Sequence, residues 1–189
     1  MRAPAFPLRC AAWLGAVLFA AAGCQMNTSR GLPGTAGAPP AAVGVPRFVV
    51  LGPGVAGGGQ PAPGSFPVLK ERGYSTIVSL RTEQEDRPEG AAKAARAAGL
   101  AYYEIPVAPN TLGSYTAYRL GEVLKVAPAG FVLIHDDTGD RTGALWGVYV
   151  GMEQDLQPDA AVELAYRCGM QSEELAKKVH DTLKYQPPE

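Results

Sequence analysis

The chain has 189 residues, 47% of them hydrophobic, and a formal net charge of -1 at pH 7. This length and apolar content allow one medium-sized domain with additional segments. The near-neutral charge gives no support for binding to nucleic acid or to an acidic membrane surface.

The first 24 residues have the pattern of a bacterial signal peptide. Two arginines precede an apolar run over residues 10–23, which is short for a membrane span and ends in small residues. The end of this run, residues 21–24, resembles a lipobox, in which the cysteine is lipidated. We therefore expect export and a membrane anchor at Cys24. Gln25 is not the Asp linked to inner-membrane retention, so the outer membrane is favoured; the alternative is a plain cleaved secretory signal.

A tether is predicted to follow the anchor. Residues 25–45 are rich in Asn, Thr, Ser, Gly, Ala and Pro, with almost no large apolar side chain, and this composition predicts disorder. A single folded domain is then expected over residues 46–186. Removal of Cys10 and lipidation of Cys24 leave Cys168, so no intramolecular disulfide is expected. The helical face that carries Cys168 predicts a buried, unreactive thiol.

Strands and helices alternate along the predicted domain. Strands are predicted at residues 47–51, 76–80, 101–107 and 131–134, and helices at residues 65–73, 89–98, 114–127, 142–154 and 158–168. Ser172 is predicted to cap a last helix. Residues 52–64 are so dense in Gly and Pro that we expect no regular structure there. The alternation predicts an α/β fold with a mostly parallel central sheet and helices on both faces.

The segment FVLIHDDTGDRTGALW, residues 131–146, joins a buried strand to a helix through a short polar loop. Such a loop directs backbone N–H groups and the helix dipole towards one point, which is the geometry of an anion-binding site. In a parallel sheet the loops after Leu80 and Val107 emerge at the same edge, so three loops should meet in one crevice. Glycines 143, 147 and 151 share one side of the helix and predict close packing against the sheet.

This loop resembles the His-Cys-x-Ser-Gly-x-Arg loop of cysteine-dependent tyrosine and dual-specificity phosphatases. Its length is closest to the bacterial beta-lactamase-hydrolase-like branch, and its Asp-Arg-Thr-Gly ending also looks like relatives with a loop one residue longer. The likeness extends upstream to residues 59–61, 77–81 and 103–107, and covers roughly residues 46–155. The resemblance implies a tyrosine or dual-specificity phosphatase fold. It implies a phosphate loop formed by His135, Asp136, Asp137, Thr138, Gly139, Asp140, Arg141 and Thr142.

Asp136 stands where this family has its nucleophilic cysteine, which loop amides and the arginine activate as a thiolate. A carboxylate can attack phosphorus, but aspartyl-phosphate enzymes offset its charge with a bound cation. A dianionic phosphate about 4 Å from an ionised Asp136 meets repulsion of roughly 4 kcal/mol per pair of unit charges at an effective dielectric constant near 20. We therefore expect weak phosphate binding.

Arg141 is the strongest candidate for ligand binding, because the matching arginine of the family grips phosphate with two parallel hydrogen bonds. The residues alone leave a second interpretation open, an internal ion pair with Asp136, Asp137 or Asp140. The resemblance gives supporting roles to other residues. His135, Thr138 and Thr142 would brace the loop, and Arg81 would buttress the crevice.

A bound cation and a general acid are two further groups that such a crevice could contain. Asp136, Asp137 and Asp140 offer oxygens suited to calcium or magnesium, which leaves a divalent cation as an alternative to the absence of any cofactor. The general acid of the family has no counterpart, since no carboxylate lies between Glu104 and Glu122 and Asn110 stands in the expected region. Glu83, Glu85 and Asp86 follow Arg81 in a charged loop that either reaches the crevice or is solvated.

The missing thiol and the missing acid together predict a pseudophosphatase, a non-catalytic binding module at the cell envelope. Its partner would be an envelope protein or a small phosphorylated ligand, with no nucleic acid and with membrane contact only through the lipid anchor. One alternative is an active phosphohydrolase that uses Asp136, with or without a divalent cation. Another is a structural envelope lipoprotein in which the loop has no function.

Overall fold

The computed structural model describes residues 37–62, 64–85 and 90–185. The predicted signal peptide, Cys24, most of the tether and Asp86 lie outside these residues. Within the described ranges, no helix has both the length and the apolar character needed to cross a bilayer.

A five-stranded sheet forms the centre of the domain. Its strands are β1 (Val49–Gly52), β2 (Val55–Gly58), β3 (Tyr74–Ser79), β4 (Ala101–Glu104) and β5 (Phe131–His135), in the order β1-β2-β5-β3-β4. Strands β1 and β2 form an antiparallel hairpin. The pairings of β2 with β5, β5 with β3 and β3 with β4 are parallel. The parallel strands therefore end at one edge of the sheet, where loops that follow them meet.

Within the described residues, six helices accompany the sheet: α1 (Ser65–Glu71), α2 (Ala91–Ala97), α3 (Ser114–Val126), α4 (Asp140–Glu153), α5 (Pro158–Arg167) and α6 (Glu173–Lys184). Strand β5 contributes to two apolar clusters because alternate side chains point to opposite faces. Val132 and Ile134 pack with side chains of α3 to α6, and Leu133 packs with Phe66 and Leu69 of α1. The predicted α/β class, with a mostly parallel sheet and helices on both faces, is confirmed.

The prediction that residues 52–64 lack regular structure is wrong, because β2 lies within them and pairs with both β1 and β5. The glycines of β2 serve close packing. A Cβ atom on Gly57 would lie 2.7 Å from Cγ2 of Thr142, and one on Gly58 would lie 2.6 Å from Cγ1 of Val45. Small residues at these positions let the start of α4 and the preceding chain approach the strand.

Helix α4 differs from its prediction in its start and in its neighbours. It begins at Asp140, two residues before the predicted start, so Arg141 belongs to its first turn. The predicted packing of its glycine face against the sheet is also wrong. Cβ atoms on Gly143 and Gly147 would come within 3.0 Å of atoms of Cys168, Met170, Ala161 and Ala165, in α5 and the turn after it. The cap of α6 is confirmed, since Ser172 Oγ accepts from Leu175 N at 3.2 Å.

The last residues assigned to the tether pack on the domain. Tyr74 Oη donates to Pro40 O at 2.7 Å, and Arg72 Nη1 donates to Ala41 O at 2.6 Å. Ala42 and Val45 are buried in the apolar cluster that contains α1. Residues 40–45 therefore contact the domain, ahead of the boundary predicted at residue 46.

Cys168 is buried directly after α5, and burial raises the pKa of its thiol to about 11. The predicted burial of this thiol is confirmed.

Candidate functional site: the loop between β5 and α4

Strand β5 and helix α4 are joined by a loop of four residues, Asp136 to Gly139. Gly139 precedes the helix with a φ of +93°, in the left-handed region that favours glycine. A Cβ atom at Gly139 would also lie 3.1 Å from the carbonyl carbon of Gly58. The loop is thus pressed against the end of β2, with its amides grouped at the N-terminus of α4.

The Asp136 carboxylate lies inside its own loop and is fully buried. Its Oδ1 accepts hydrogen bonds from the backbone N–H groups of Thr138 and Gly139, both at 2.6 Å. Its Oδ2 accepts from the N–H of Thr142 at 2.7 Å. These amides and the positive end of the α4 dipole offset the buried negative charge. The side chain at the position that the resemblance gives to the nucleophile therefore binds backbone amides of its own loop.

Asp137 and Arg81 join the loop to the end of β3. Arg81, buried at 6% exposure, donates from Nη1 to Asp137 Oδ1 at 3.0 Å and to Gln60 Oε1 at 3.3 Å. The backbone N–H of Gln60 donates to Asp137 O at 3.1 Å. The structure thus places Arg81 beside the loop, where the resemblance put it. Gln60 was not among the predicted site residues, although residues 59–61 belong to the resemblance.

The side chains of Asp140 and Thr138 also form hydrogen bonds inside the fold. Asp140 Oδ1 accepts from the backbone N–H groups of Gln171 and Ser172, in the turn between α5 and α6. Thr138 Oγ1 accepts from Asp140 N at 3.4 Å. Thr142 is buried, and its Oγ1 has no hydrogen-bond partner among the described residues. Asp140 thus fixes the start of α4 to the neighbouring helices.

Arg141 forms an ion pair with Glu85, in the loop that follows β3. Its Nη2 lies 2.5 Å from Glu85 Oε1 and its Nη1 lies 2.8 Å from Glu85 Oε2, so both carboxylate oxygens are engaged. Nη1 also donates to Val107 O at 2.8 Å. The Arg141 side chain is 13% exposed and that of Glu85 is 25% exposed. The three predicted loops therefore meet at Arg141.

The ion pair differs from the one that the sequence suggested. Asp136, Asp137 and Asp140 were the expected partners, and the structure directs each of them elsewhere, to loop amides, to Arg81 and to the α5–α6 turn. These carboxylates also do not converge on one point. The described residues contain no group of three His, Cys, Asp or Glu side chains able to hold a metal ion, so the predicted cation set is not assembled.

His135 is fully buried at the end of β5, with its Nδ1 3.3 Å from Asp136 O. Desolvation lowers the pKa of its imidazole to about 4, against smaller raising effects of Asp136. His135 is therefore neutral near pH 7, and its ring contacts the backbone at the start of the loop. Asn110, in the region of the missing acid, is exposed in the segment after β4.

The hydrogen bonds from Arg141 lower the pKa of Glu85 from 4.5 to about 2. Because the folded-state pKa is depressed, the pair stabilises the fold above pH 4.5, and this contribution is lost as the pH falls towards 2. We expect Glu85→Gln to lower the free energy of unfolding at pH 7 by on the order of 1 to 2 kcal/mol, after allowance for partial exposure.

Urea unfolding at pH 7 and pH 3 measures this difference, with Glu83→Gln as a control for the loss of one nearby charge. The gap between wild type and Glu85→Gln should narrow at pH 3. An equal gap at both pH values would show that the ion pair is not its source.

Several solved structures share this fold over most of the chain. A DUF442 protein from Shewanella putrefaciens, assigned as a phosphatase, matches with a TM-score of 0.62 and 17% identity, over 75% of this chain and 93% of that one. The chain has a phosphatase fold. The catalytic core of the PP-IP phosphatase Siw14 from S. cerevisiae matches with a TM-score of 0.58 and 18% identity, over 76% and 92% of the two chains. A TpbA variant from P. aeruginosa, in complex with pTyr, matches with a TM-score of 0.59 and 19% identity, over 81% of this chain and 90% of that one.

Neither the comparison with protein-family models nor the search of curated proteins found a match. The structural neighbours confirm the predicted phosphatase fold, since at these identities the likeness establishes the fold alone. Membership of the cysteine-dependent phosphatases and the particular branch stay predictions.

Proposed function

We propose that the protein is a pseudophosphatase, a phosphatase-fold module that binds a ligand in its crevice without hydrolysing it. The observation that carries this proposal is the buried Asp136 carboxylate, which accepts hydrogen bonds from three loop amides. The resemblance predicts that Asp136 stands at the nucleophile position. No thiol is present there. Both oxygens of Asp136 are bound by backbone donors of the loop, which are the groups that a bound phosphate would need.

The state of Arg141 supports the same conclusion. In a phosphatase loop the arginine fork is available to the phosphate, and here both of its terminal nitrogens contact Glu85. A substrate phosphate would have to displace Glu85 and also approach the carboxylates of Asp136 and Asp137. The contacts of Asp136 count equally against the alternative of an active phosphohydrolase that uses this carboxylate as its nucleophile.

The location of the module is part of the proposal and rests on the sequence. The signal-like N-terminus and Cys24 indicate export and a lipid anchor, with the crevice in the periplasm and the outer membrane favoured. The partner would then be an envelope protein or a small anionic ligand. The third alternative, a structural lipoprotein with a functionless loop, predicts no ligand for the crevice.

Hydrolysis of phenyl phosphate by the purified full-length protein tests the proposal directly. We expect the wild type to release phosphate no faster than Arg141→Met, with or without magnesium or calcium. An active cysteine-dependent phosphatase in the same assay shows that turnover is detectable. Phosphate release that requires Arg141 and disappears in Asp136→Asn would instead identify a working active site.

A further inference from the structure

Glu85 occupies the place at Arg141 that a bound oxyanion would take. Its two carboxylate oxygens face the two terminal nitrogens of the guanidinium, at 2.5 and 2.8 Å. This is the paired arrangement with which arginine recognises carboxylates and phosphates in general. The chain thus supplies an internal anion to the Arg141 guanidinium. We call this guanidinium, held by its hydrogen bond to Val107 O, the Arg141 seat.

The Arg141 guanidinium has a second contact besides Glu85 that fixes its position. Arg141 is in the first turn of α4 and is held by its hydrogen bond to Val107 O at 2.8 Å. Glu85 is held on its own side by a short turn, because its Oε2 accepts from Thr82 N at 2.6 Å and its backbone N–H donates to Thr82 O at 3.4 Å. Exchange of Glu85 for another anion therefore requires the movement of one partly exposed side chain and leaves the guanidinium in place.

The charges around the seat favour one class of anion. Among the described residues, the carboxylates that act on the Arg141 charge are those of Glu85, Asp136 and Asp137, and Arg81 is the cation paired with Asp137. Exchange of the Glu85 carboxylate for a monoanion leaves the local charge unchanged, whereas a phosphate dianion adds one negative charge beside buried Asp136. The fixed carboxylates repel the extra charge, so a carboxylate is the better occupant.

We propose that the Arg141 seat binds the monoanionic carboxylate of a ligand in exchange for the carboxylate of Glu85. This inference rests on the proposed function as a non-hydrolysing binding module and names its ligand class. A terminal or side-chain carboxylate of a peptide, or of a small organic acid, has the required group. The phosphorylated ligand suggested by the sequence is replaced by a ligand of lower charge.

Benzoate and phenyl phosphate form a matched pair of probes, since both carry a phenyl ring and differ in the anionic group. We expect calorimetric titration of the full-length protein at pH 8 to show that Glu85→Gln binds benzoate about tenfold more tightly than wild type. The gain in affinity for phenyl phosphate between wild type and Glu85→Gln should be smaller. Glu83→Gln removes the same charge from the same loop and should bind benzoate as wild type does.

The double variant Glu85→Gln with Arg141→Met should lose the benzoate site. Unchanged benzoate affinity in Glu85→Gln, an equal gain in Glu83→Gln, or a larger gain for phenyl phosphate would overturn the exchange. Benzoate that still binds the double variant would place its site elsewhere and would overturn it as well. Circular dichroism of each variant shows whether it is folded.

A measurement on the unsubstituted chain covers the case in which Glu85→Gln does not fold. Benzoate should shift the side-chain ¹⁵N signals of Arg141, and a complete titration without a shift would contradict the exchange. Assay of the phenyl phosphate samples for released phosphate separates the two proposals. Phosphate release that depends on Arg141 would contradict the proposed non-hydrolysing function. If no phosphate is released and Glu85→Gln binds benzoate as wild type does, only the carboxylate exchange is contradicted.

Discussion

Replacement of Asp136 by Ala should lower the free energy of unfolding by about 3 to 5 kcal/mol. The substitution removes a buried carboxylate and leaves the N–H groups of Thr138, Gly139 and Thr142 without their acceptor. Each of these hydrogen bonds is made to a charged group, and the loop that carries the amides packs against the end of β2. Thermal and urea unfolding of the full-length protein measure the loss.

The same variant should become sensitive to oxyanions, because the emptied cradle retains its amides and the α4 dipole. Sulfate at tens of millimolar should raise the melting temperature of Asp136→Ala by several degrees more than that of wild type. Glu83→Ala is the control, since it removes an exposed carboxylate outside this loop and reports the general stabilisation by sulfate. Equal sulfate responses in all three proteins would show that Asp136 does not fill an anion cradle.

The position of the site is predictable from the sequence because its signals are local. Residues 131–134 are an apolar run, Gly139 permits the turn, and the helix follows at once. The convergence of loops after β3, β4 and β5 follows from the parallel sheet alone. These patterns suffice to bring Arg81, Val107 and Arg141 to one edge, as the structure has them.

The partner of Arg141 is not predictable in the same way. Glu85 is 56 positions away, and the choice between it and the nearer carboxylates depends on where each carboxylate finds its own donors. Asp136 points into the loop because three N–H groups meet there, and Asp140 points away because the α5–α6 turn offers amides. Such competition is decided by the packed structure and leaves no pattern in the sequence.

Strand β2 and the glycine face of α4 show a second limit of prediction from sequence. Val55–Gly58 contains two glycines and lacks the β-branched run of a typical buried strand, yet it pairs on both sides. Its extended form is imposed by β1 and β5. Likewise, glycines at helical spacing indicate that something packs closely on α4, but they do not indicate whether a sheet or another helix does so.

Gly143→Ala is expected to be the most destabilising single methyl addition in α4, at about 3 kcal/mol or more. A Cβ atom at this position would lie 2.5 Å from Met170 N, 2.8 Å from Cys168 O and 2.9 Å from Ala165 O. All three are backbone atoms, so no side-chain rotation relieves the contact. The helix would have to move away from α5. This movement would lengthen the hydrogen bonds of Asp140 and displace Arg141. Thermal unfolding should show a fall of roughly 6 to 12 °C.

Gly64→Ala provides the control, because its added Cβ has no neighbour within 4 Å and Gly64 has a φ of -90°. It should unfold within a degree or two of wild type. Benzoate binding in the Glu85→Gln background extends the test from stability to the site. If close packing of α4 on α5 sets the position of Arg141, Gly143→Ala should weaken that binding even at temperatures where the variant is folded. Gly64→Ala should leave it unchanged. A stable Gly143→Ala with full benzoate affinity would mean that the helices are not packed this closely and that the seat does not depend on their contact.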